Sequence, residues 1–258
     1  MISPPFSKSG KSSIVPGIPP YYYGSTFLAC HVRIDKDKIS DLVPKFLDAG
    51  DEAIFSIREF VTGTGENWHM FYEEPSLTHY MEAAVGIKVK YGGKDHLYYP
   101  YMWVDHDFAL MRGFLSGYPK KIANIDYTRF HKLLPKYKKP GRGTILSGYV
   151  SRYSGMIFRI TMTLEKRIER PVSFGPLLTL KMKEERENYS FDLFRLEMQD
   201  FVYDDVWSGK FTLEIGDPRN EEIDKFVISE NLSGYYYSVG FRTKDLVFLQ
   251  NYTYDETF

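Results

Sequence analysis

Hydrophobic and polar residues alternate with a period of two at 53–61, as expected for a strand that buries one face. The period places Ile54, Ser56 and Arg58 on the same face. This segment and further strand-like runs predict strands at 25–34, 53–61, 80–91 and 96–112, a hairpin within 144–164, and strands at 176–183, 191–202 and 210–215. The pair Gly92-Gly93 predicts the turn between the third and fourth strands.

Signals for helices are sparse by comparison. Asp35 is a candidate N-cap of a short helix at 35–43, which Pro44 ends, and further helical patterns lie at 126–134, 220–226 and 244–251. The proline-rich segment 1–24 is predicted to be an extended N-terminal arm, and 66–79 a loop. Helices interrupt the strands too rarely for repeated βαβ units, so we predict a mainly antiparallel sheet curled on itself. This is an α+β chain, which we expect to form a single domain over residues 1–258.

The composition supports a β-rich protein and argues against several function classes. Aromatic residues make up 17% of the 258 residues, and they favour pleated, half-buried surfaces. The 33 basic and 34 acidic residues are interspersed, so no overall field would recruit nucleic acid or an anionic membrane. No segment has membrane-spanning length or the pattern of a signal peptide, and the single Cys30 excludes an internal disulfide. We therefore expect a cytoplasmic protein without nucleic-acid or membrane partners.

The stretch from Gly113 to Lys121, GFLSGYPKK, ends in two lysines within an aromatic and aliphatic neighbourhood. Lysine ammonium groups normally stay in water. The pair is therefore either a strand end where both side chains reach solvent, or a site where a buried lysine is kept neutral as a nucleophile toward a carbonyl group. The lysine pair by itself leaves both interpretations open.

Glu82 is a further candidate because it lies in YMEAAVGIKV, a strand-like run of small and apolar residues. Its carboxylate is predicted either to lie inside a barrel, where it could move protons beside a lysine, or to reach the surface at a strand end. A serine hydrolase lacks support because no GxSxG motif is present. We predict no metal site, since the potential ligands match no reliable spacing: His69, Glu73, Glu74, His79 and 105–107.

The motif SGYPKK, the upstream Glu82, the predicted helix ending in LVP and the later run VWSGKFTLEI together resemble the acetoacetate decarboxylase family. The resemblance runs in order from about Pro19 to Tyr252, and the Tyr-Pro-Lys-Lys element is its most specific part. It implies a cone-like β-barrel with a few flanking helices, a homo-oligomer, and a small keto acid as substrate.

The resemblance also implies roles for individual residues. In that family the first lysine of the pair forms a Schiff base with a β-keto acid, which assigns this role to Lys120. Lys121 corresponds to the cation credited with lowering the pKa of the nucleophile, an effect for which this family is the standard example. Glu82 corresponds to the pocket glutamate that moves protons, and no cofactor is implied. Because adjacent strand residues point to opposite faces, we expect burial to lower the pKa of Lys120 more than Lys121 does.

Several positions depart from the family pattern. Ser25 stands where the family has the arginine associated with the substrate carboxylate, and Ser56 stands where it has a second pocket glutamate. Ser25, Ser56 and Tyr118 are the candidate substrate-binding residues. Arg58, on the same strand face as Ser56, could supply the missing cation, unless it is a surface arginine at the end of its strand. The sequence Arg112-Gly113-Phe114 stands where decarboxylases read Gly-Arg-Glu.

These observations predict a lysine-dependent decarboxylase that converts a β-keto acid, acetoacetate or a larger analogue, into a ketone and CO2. Because the residues that read the substrate are changed, a second hypothesis is aldol condensation with dehydration on pyruvate-like substrates, which relatives perform with the same lysine. A third hypothesis is a non-catalytic barrel that binds an apolar ligand. It predicts an ordinary pKa for Lys120, whereas both enzyme hypotheses predict a strongly lowered one.

Overall fold

A computed structural model of the chain describes residues 12–15, 17, 19–65, 67–185, 188–216, 219 and 221–257. Its strands are β1 (Tyr21–Ile34), β2 (Asp48–Thr64), β3 (His79–Tyr91), β4 (Lys94–Val104), β5 (Lys120–Ile122), β6 (Asn124–Tyr127), β7 (Ile145–Arg152), β8 (Gly155–Arg167), β9 (Leu177–Glu185), β10 (Asn188–Ile215) and β11 (Ile228–Thr253). The described helices are α1 (Met70–Glu73), α2 (Asp107–Leu115), α3 (Tyr254–Thr257) and the 3-10 helices Lys36–Leu42, Pro75–Leu77 and Ile223–Lys225.

All eleven strands belong to one sheet, which partly closes into a ring. The strand order is β11-β1-β2-β3-β4-β9-β10-β8-β7-β6, with β5 attached to β4. β10 also pairs with β11, and this pairing closes the run of strands from β11 through β1 to β10. Pairing is antiparallel except for β4 with β5 and β4 with β9. The predicted α+β class with a mainly antiparallel sheet curled on itself is confirmed.

The two faces of strands β1 to β4 have different surroundings. One face packs into the main hydrophobic core, where Phe55 and Ile57 are fully buried. Arg58 alternates with these residues along β2, so it points to the other face, and the register places it opposite Glu82 on β3. That face carries a smaller apolar cluster which includes Tyr80. The sheet therefore holds a charged pair rigidly beside aromatic side chains.

The predicted strand at 96–112 is wrong in its second half. β4 ends at Val104, and α2 begins at Asp107. This helix buries Phe108, Ala109 and Arg112, a spacing that fits the helical period and not the strand period. An apolar run of this kind does not by itself distinguish a buried strand from a buried helix.

The predicted helices at 126–134 and 244–251 are also wrong. Residues 126–127 belong to β6, where Asp126 pairs with Tyr149 of β7. Residues 244–251 belong to β11, where Leu246 and Phe248 pair with Leu196 and Phe194 of β10. Pairing with a distant strand overrides the weak local preference for helix in both segments.

Most other predicted elements are present. The strands predicted at 25–34, 53–61, 80–91 and 176–183 correspond to β1, β2, β3 and β9, the hairpin to β7 and β8, and the last two strands form one long strand, β10. Asp35 caps its helix, which is of the 3-10 type, by accepting a hydrogen bond from the Asp37 amide at 3.1 Å.

Three predicted segments lie partly outside the described residues. Within 66–79, which was predicted as a loop, the described part holds α1 and the 3-10 helix Pro75–Leu77. The pattern at 220–226 yields a single 3-10 turn, with residue 220 not described. Residues 1–11, 16 and 18 of the predicted arm are likewise outside the description, and Tyr21 already belongs to β1. In the described ranges, every helix is too short or too polar to cross a membrane.

Candidate active site

A turn that ends α2 positions the lysine pair. Gly117 adopts the left-handed conformation, with φ of 81°. Its amide donates to the carbonyl of Phe114 at 3.1 Å, and the amide of Tyr118 donates to the carbonyl of Gly113 at 3.0 Å. These two bonds form a Schellman motif, which needs a glycine at the left-handed position. The turn stops the helix and leads the chain into β5, whose first residue is Lys120.

Gly113 allows α2 to pack directly against the side chain of Lys120. A Cβ atom at Gly113 would lie 2.3 Å from Lys120 Cδ and 2.8 Å from Cε, which is too close for any side chain. The glycine in the Arg112-Gly113-Phe114 sequence is therefore required for the observed path of the lysine.

Lys120 is buried in the interior of the site, with 7% of its side chain exposed. Its Nζ lies 2.7 Å from Glu82 Oε2. The same atom is 5.3 Å from the ring centroid of Tyr80 and 5.7 Å from that of Tyr118. The amine thus has one carboxylate beside it and aromatic rings around it, with little access to water.

Glu82 is shared between Lys120 and Arg58. Arg58 Nε donates to Glu82 Oε1 at 2.9 Å, and Nη2 donates to the same oxygen. The remaining nitrogen, Nη1, donates to the hydroxyl of Tyr99 at 3.1 Å. Arg58 is buried, and not a surface residue at a strand end. Its guanidinium is engaged with protein groups on all three nitrogens, so a substrate carboxylate would have to compete with Glu82 for it.

Burial is the largest influence on the titration of Lys120. It lowers the pKa of this amine because the charged form loses its hydration, while Glu82 opposes the change and Arg112 and Arg58 add to it. The net pKa is below the ordinary lysine value. For Glu82, burial raises the pKa, but the positive charges of Lys120 and Arg58 outweigh it and lower the pKa, so this carboxyl group stays ionised.

Lys121 points away from this site, as the alternation of strand side chains predicts. Its Nζ donates to Glu221 Oε2 at 2.6 Å, and 37% of the side chain is exposed. Glu221 is fully buried and also accepts from Arg152 Nη1 at 3.2 Å. Lys121 therefore belongs to a separate ion-pair cluster on the opposite face of β5.

Of the three candidate substrate-binding residues Ser25, Ser56 and Tyr118, only the tyrosine has a described contact with Lys120. The hydroxyl of Ser25 donates to the carbonyl of Glu59 at 2.7 Å, and that of Ser56 donates to the carbonyl of Ala84 at 3.4 Å. Both buried serines thus use their hydroxyls on the backbone. Tyr118 lies beside Lys120, and burial raises the pKa of its phenol well above the usual value, so the group remains a neutral hydrogen-bond donor.

A cavity of about 390 Å³ is lined by residues that include Ser25, Glu59, Val202 and Val239. Lys120 and Glu82 do not line it. Among the described residues, no three His, Cys, Asp or Glu side chains are grouped as a metal-binding cluster.

Sequence reasoning does not identify three residues of the site: Tyr80, Tyr99 and Arg112. Arg112 is 7% exposed, and its Cζ lies 5.6 Å from the ring centroid of Tyr80, which also contacts Lys120. Its only sequence signal is the departure from the family pattern before the lysine motif. The tyrosines carry no signal, because a sequence does not separate aromatic residues of a pocket from those of a core.

Solved structures with a similar fold include three enzymes. An acetoacetate decarboxylase-like enzyme from Sphingomonas wittichii RW1 is 24% identical, with a TM-score of 0.89 over 96% of this chain and 99% of that one. The enduracididine biosynthesis enzyme MppR, in complex with the condensation product of pyruvate and imidazole 4-carboxaldehyde, is 20% identical, with a TM-score of 0.85 and 95% of both chains covered. Acetoacetate decarboxylase from Legionella pneumophila is 16% identical, with a TM-score of 0.72 over 91% of this chain and 88% of that one.

At the level of sequence, none of the curated proteins matches the chain significantly. The family model described as acetoacetate decarboxylase (ADC), however, matches residues 3–253, which is nearly the whole sequence. This chain belongs to the acetoacetate decarboxylase family.

Proposed function

We propose that the protein is a decarboxylase in which Lys120 forms a Schiff base with a β-keto acid and releases a ketone and CO2. The observation that carries this proposal is the buried amine of Lys120, held 2.7 Å from an ionised carboxylate and near two guanidinium groups. A free lysine, with a pKa of about 10.4, is neutral to only about four parts in ten thousand at pH 7. A site that lowers this pKa increases the fraction of amine able to attack a carbonyl carbon.

In the proposed reaction, the neutral Nζ of Lys120 attacks the keto carbon to give a carbinolamine. Loss of water produces a protonated imine. The bond to the carboxylate carbon then breaks, its electron pair moves to the iminium nitrogen, and CO2 and an enamine result. Protonation of the enamine carbon gives a second imine, which water hydrolyses to the ketone and free Lys120.

We assign to Glu82 the transfer of protons to and from the reacting nitrogen and oxygen atoms. Its Oε2 is within hydrogen-bond distance of Lys120 Nζ, which meets the geometric requirement for a general acid or base. In this proposal Arg58 orients Glu82 and keeps it ionised. The negative charge of Glu82 also disfavours a second carboxylate nearby, which favours departure of the substrate carboxylate as neutral CO2.

A second candidate function, aldol condensation with dehydration on a pyruvate-like substrate, is favoured by the ionised state of Glu82. Aldol chemistry requires a base that removes a proton from the carbon next to the imine, and an ionised carboxylate beside the imine nitrogen suits this step. Decarboxylation does not require such a base. The two candidates share Lys120 and differ in product.

Reductive trapping tests the proposal. The protein is incubated with acetoacetate, and separately with pyruvate, in the presence of borohydride, and its intact mass and peptides are measured. We expect a reduced adduct on Lys120 with acetoacetate, together with CO2 release when borohydride is omitted. An adduct with pyruvate and formation of a carbon-carbon bond with an added aldehyde would favour the second candidate. Absence of any adduct on Lys120 would refute imine chemistry.

Three other expectations stay predictions. The resemblance implies a homo-oligomer and a small keto acid as the partner, and the length of the chain indicates a single domain.

A further inference from the structure

Arg112 is a buried cation that lacks a carboxylate partner. The residue is 7% exposed, and its Nη2 has no hydrogen-bond partner. Within the described ranges, no Asp or Glu side chain forms an ion pair with it, whereas Arg58 is paired with Glu82. Burying a charged group is costly unless it is paired and hydrogen-bonded. Such a group is therefore suited to receive an anion that the protein does not itself supply.

Aromatic side chains hold the Arg112 guanidinium in place but leave its Nη2 unsatisfied. Its Cζ lies 4.7 Å from the ring centroid of Tyr21, 5.4 Å from that of Tyr23 and 5.6 Å from that of Phe108. Contacts of this kind stabilise a cation through the ring faces, and Tyr80 accepts a hydrogen bond from the guanidinium. The Nη2 group stays available for an oxygen acceptor.

Arg112 lies near enough to Lys120 to contact the same aromatic ring and to lower the pKa of the lysine. The ring of Tyr80 contacts both residues, with Lys120 Nζ at 5.3 Å and Arg112 Cζ at 5.6 Å from its centroid. Arg112 also lines a small cavity of about 10 Å³, which Lys120 does not line. The unsatisfied Nη2 of Arg112 thus belongs to a guanidinium that lies beside the ring contacted by the lysine.

We infer that Arg112 binds a second carboxylate of the substrate, one that is kept in the product, so that the substrate is a β-keto acid with a distal carboxylate. This inference rests on the proposed function. The carboxylate that leaves loses its charge as CO2 forms, so a cation bound to it would stabilise the substrate more than the transition state. A distal carboxylate keeps its charge throughout, and binding it carries no such penalty. The charge-assisted bonds would orient the keto group toward Lys120.

A matched pair of ketones tests this assignment without decarboxylation. 4-Oxopentanoate carries a methyl ketone and a distal carboxylate, and 2-pentanone has a methyl group in place of that carboxylate. Both are trapped with borohydride on the wild type and on three variants: Arg112→Gln, Arg112→Lys and, as a control outside the site, Arg129→Gln. The readout is the half-saturating concentration of each ketone for trapping at Lys120, at one pH. The ratio between the two ketones cancels any change in the reactivity of Lys120 itself.

For the wild type and Arg129→Gln, we expect the half-saturating concentration of 4-oxopentanoate to be at least about tenfold lower than that of 2-pentanone. Arg112→Gln should remove this preference while it still traps 2-pentanone, which also reports a folded site, and Arg112→Lys should restore part of it. An unchanged ratio in Arg112→Gln, or equal trapping of the two ketones by the wild type, would overturn the role of Arg112 and leave the proposed function standing. If the wild type traps neither ketone, the proposed function fails and the role of Arg112 fails with it.

Discussion

Lys120 and Lys121 are adjacent in the chain and have nearly the same direct partners, yet they lie in different surroundings. Each ammonium group contacts a glutamate, Glu82 at 2.7 Å and Glu221 at 2.6 Å. Each glutamate is shared with an arginine, Arg58 in one case and Arg152 in the other. The exposed fraction of the lysine side chain is 7% for Lys120 and 37% for Lys121.

The comparison indicates that the ion pair does not make Lys120 reactive. A neighbouring carboxylate stabilises the ammonium form, so by itself it raises the pKa of a lysine. What distinguishes Lys120 is loss of hydration, together with the additional cation Arg112. The face of β5 on which a lysine lies therefore decides whether its amine is reactive.

The largest effect is expected from removing the proposed nucleophile. Lys120→Ala should abolish reductive trapping with every carbonyl compound, because no other amine in the described site is buried beside a carboxylate in the same way. Intact-mass measurement after borohydride treatment checks this, with circular dichroism as the control for folding. Residual trapping at Lys121 in this variant would show that the two faces are equivalent.

Glu82→Gln should separate imine formation from turnover. Loss of the negative charge removes the group that raises the pKa of Lys120, so this pKa should fall further and trapping at neutral pH should persist. Turnover should drop by about 100-fold, because proton transfer loses its acid and base. Arg58 would lose its charged partner, at a cost of about 3 kcal/mol in the free energy of unfolding. A variant with full turnover would contradict the role of Glu82.

Gly113→Ala tests the close approach between α2 and the lysine. The new Cβ would overlap the stem of Lys120 and force the side chain to move, so we expect the trapping rate to fall by about tenfold or more, since reacting groups tolerate little misplacement. Trapping kinetics with acetoacetate measure the effect. Ser116→Ala, in the same turn, is the matched control, and an equal loss in both variants would indicate general disruption of the turn.

Lys121→Gln should have the smallest effect. Glu221 keeps its bond to Arg152, and the exposed lysine contributes about 1 kcal/mol to the free energy of unfolding through its charged hydrogen bond. Trapping at Lys120 should change by no more than a few-fold. A return of the Lys120 pKa to that of free lysine in this variant would assign the lowered value to Lys121 and refute the importance of burial.

The sequence was sufficient to predict the strand-rich fold, the interior candidates Lys120 and Glu82, and the divergence of the two lysines. These follow from a period of two, from a short motif and from the family resemblance. The partner of Arg58 could not be predicted, because its contact with Glu82 depends on the register between β2 and β3. The sequence pattern predicts a strand where the structure has the helix that carries Arg112, so the pattern does not place this residue at the site.

The errors at 126–134 and 244–251 have the same origin. Local preference favours a helix there, but each segment pairs with a strand that is distant in the chain or reached through a long connection. Contacts of this kind decide both secondary structure and the burial of polar side chains. They are not encoded in any short window of sequence.

The most direct test of the account is the pH dependence of the reaction of Lys120 with acetic anhydride, followed by peptide fragment masses that separate acetylation at Lys120 from acetylation at Lys121. Only the neutral amine reacts, so the rate rises with pH and its midpoint reports the pKa. The same peptide in the unfolded protein gives the reference, near the free-lysine value of about 10.4. We predict a midpoint for the folded protein below that reference, because burial disfavours the ammonium form. A midpoint equal to or above the reference would contradict the claim that this face of the sheet prepares Lys120 as a nucleophile.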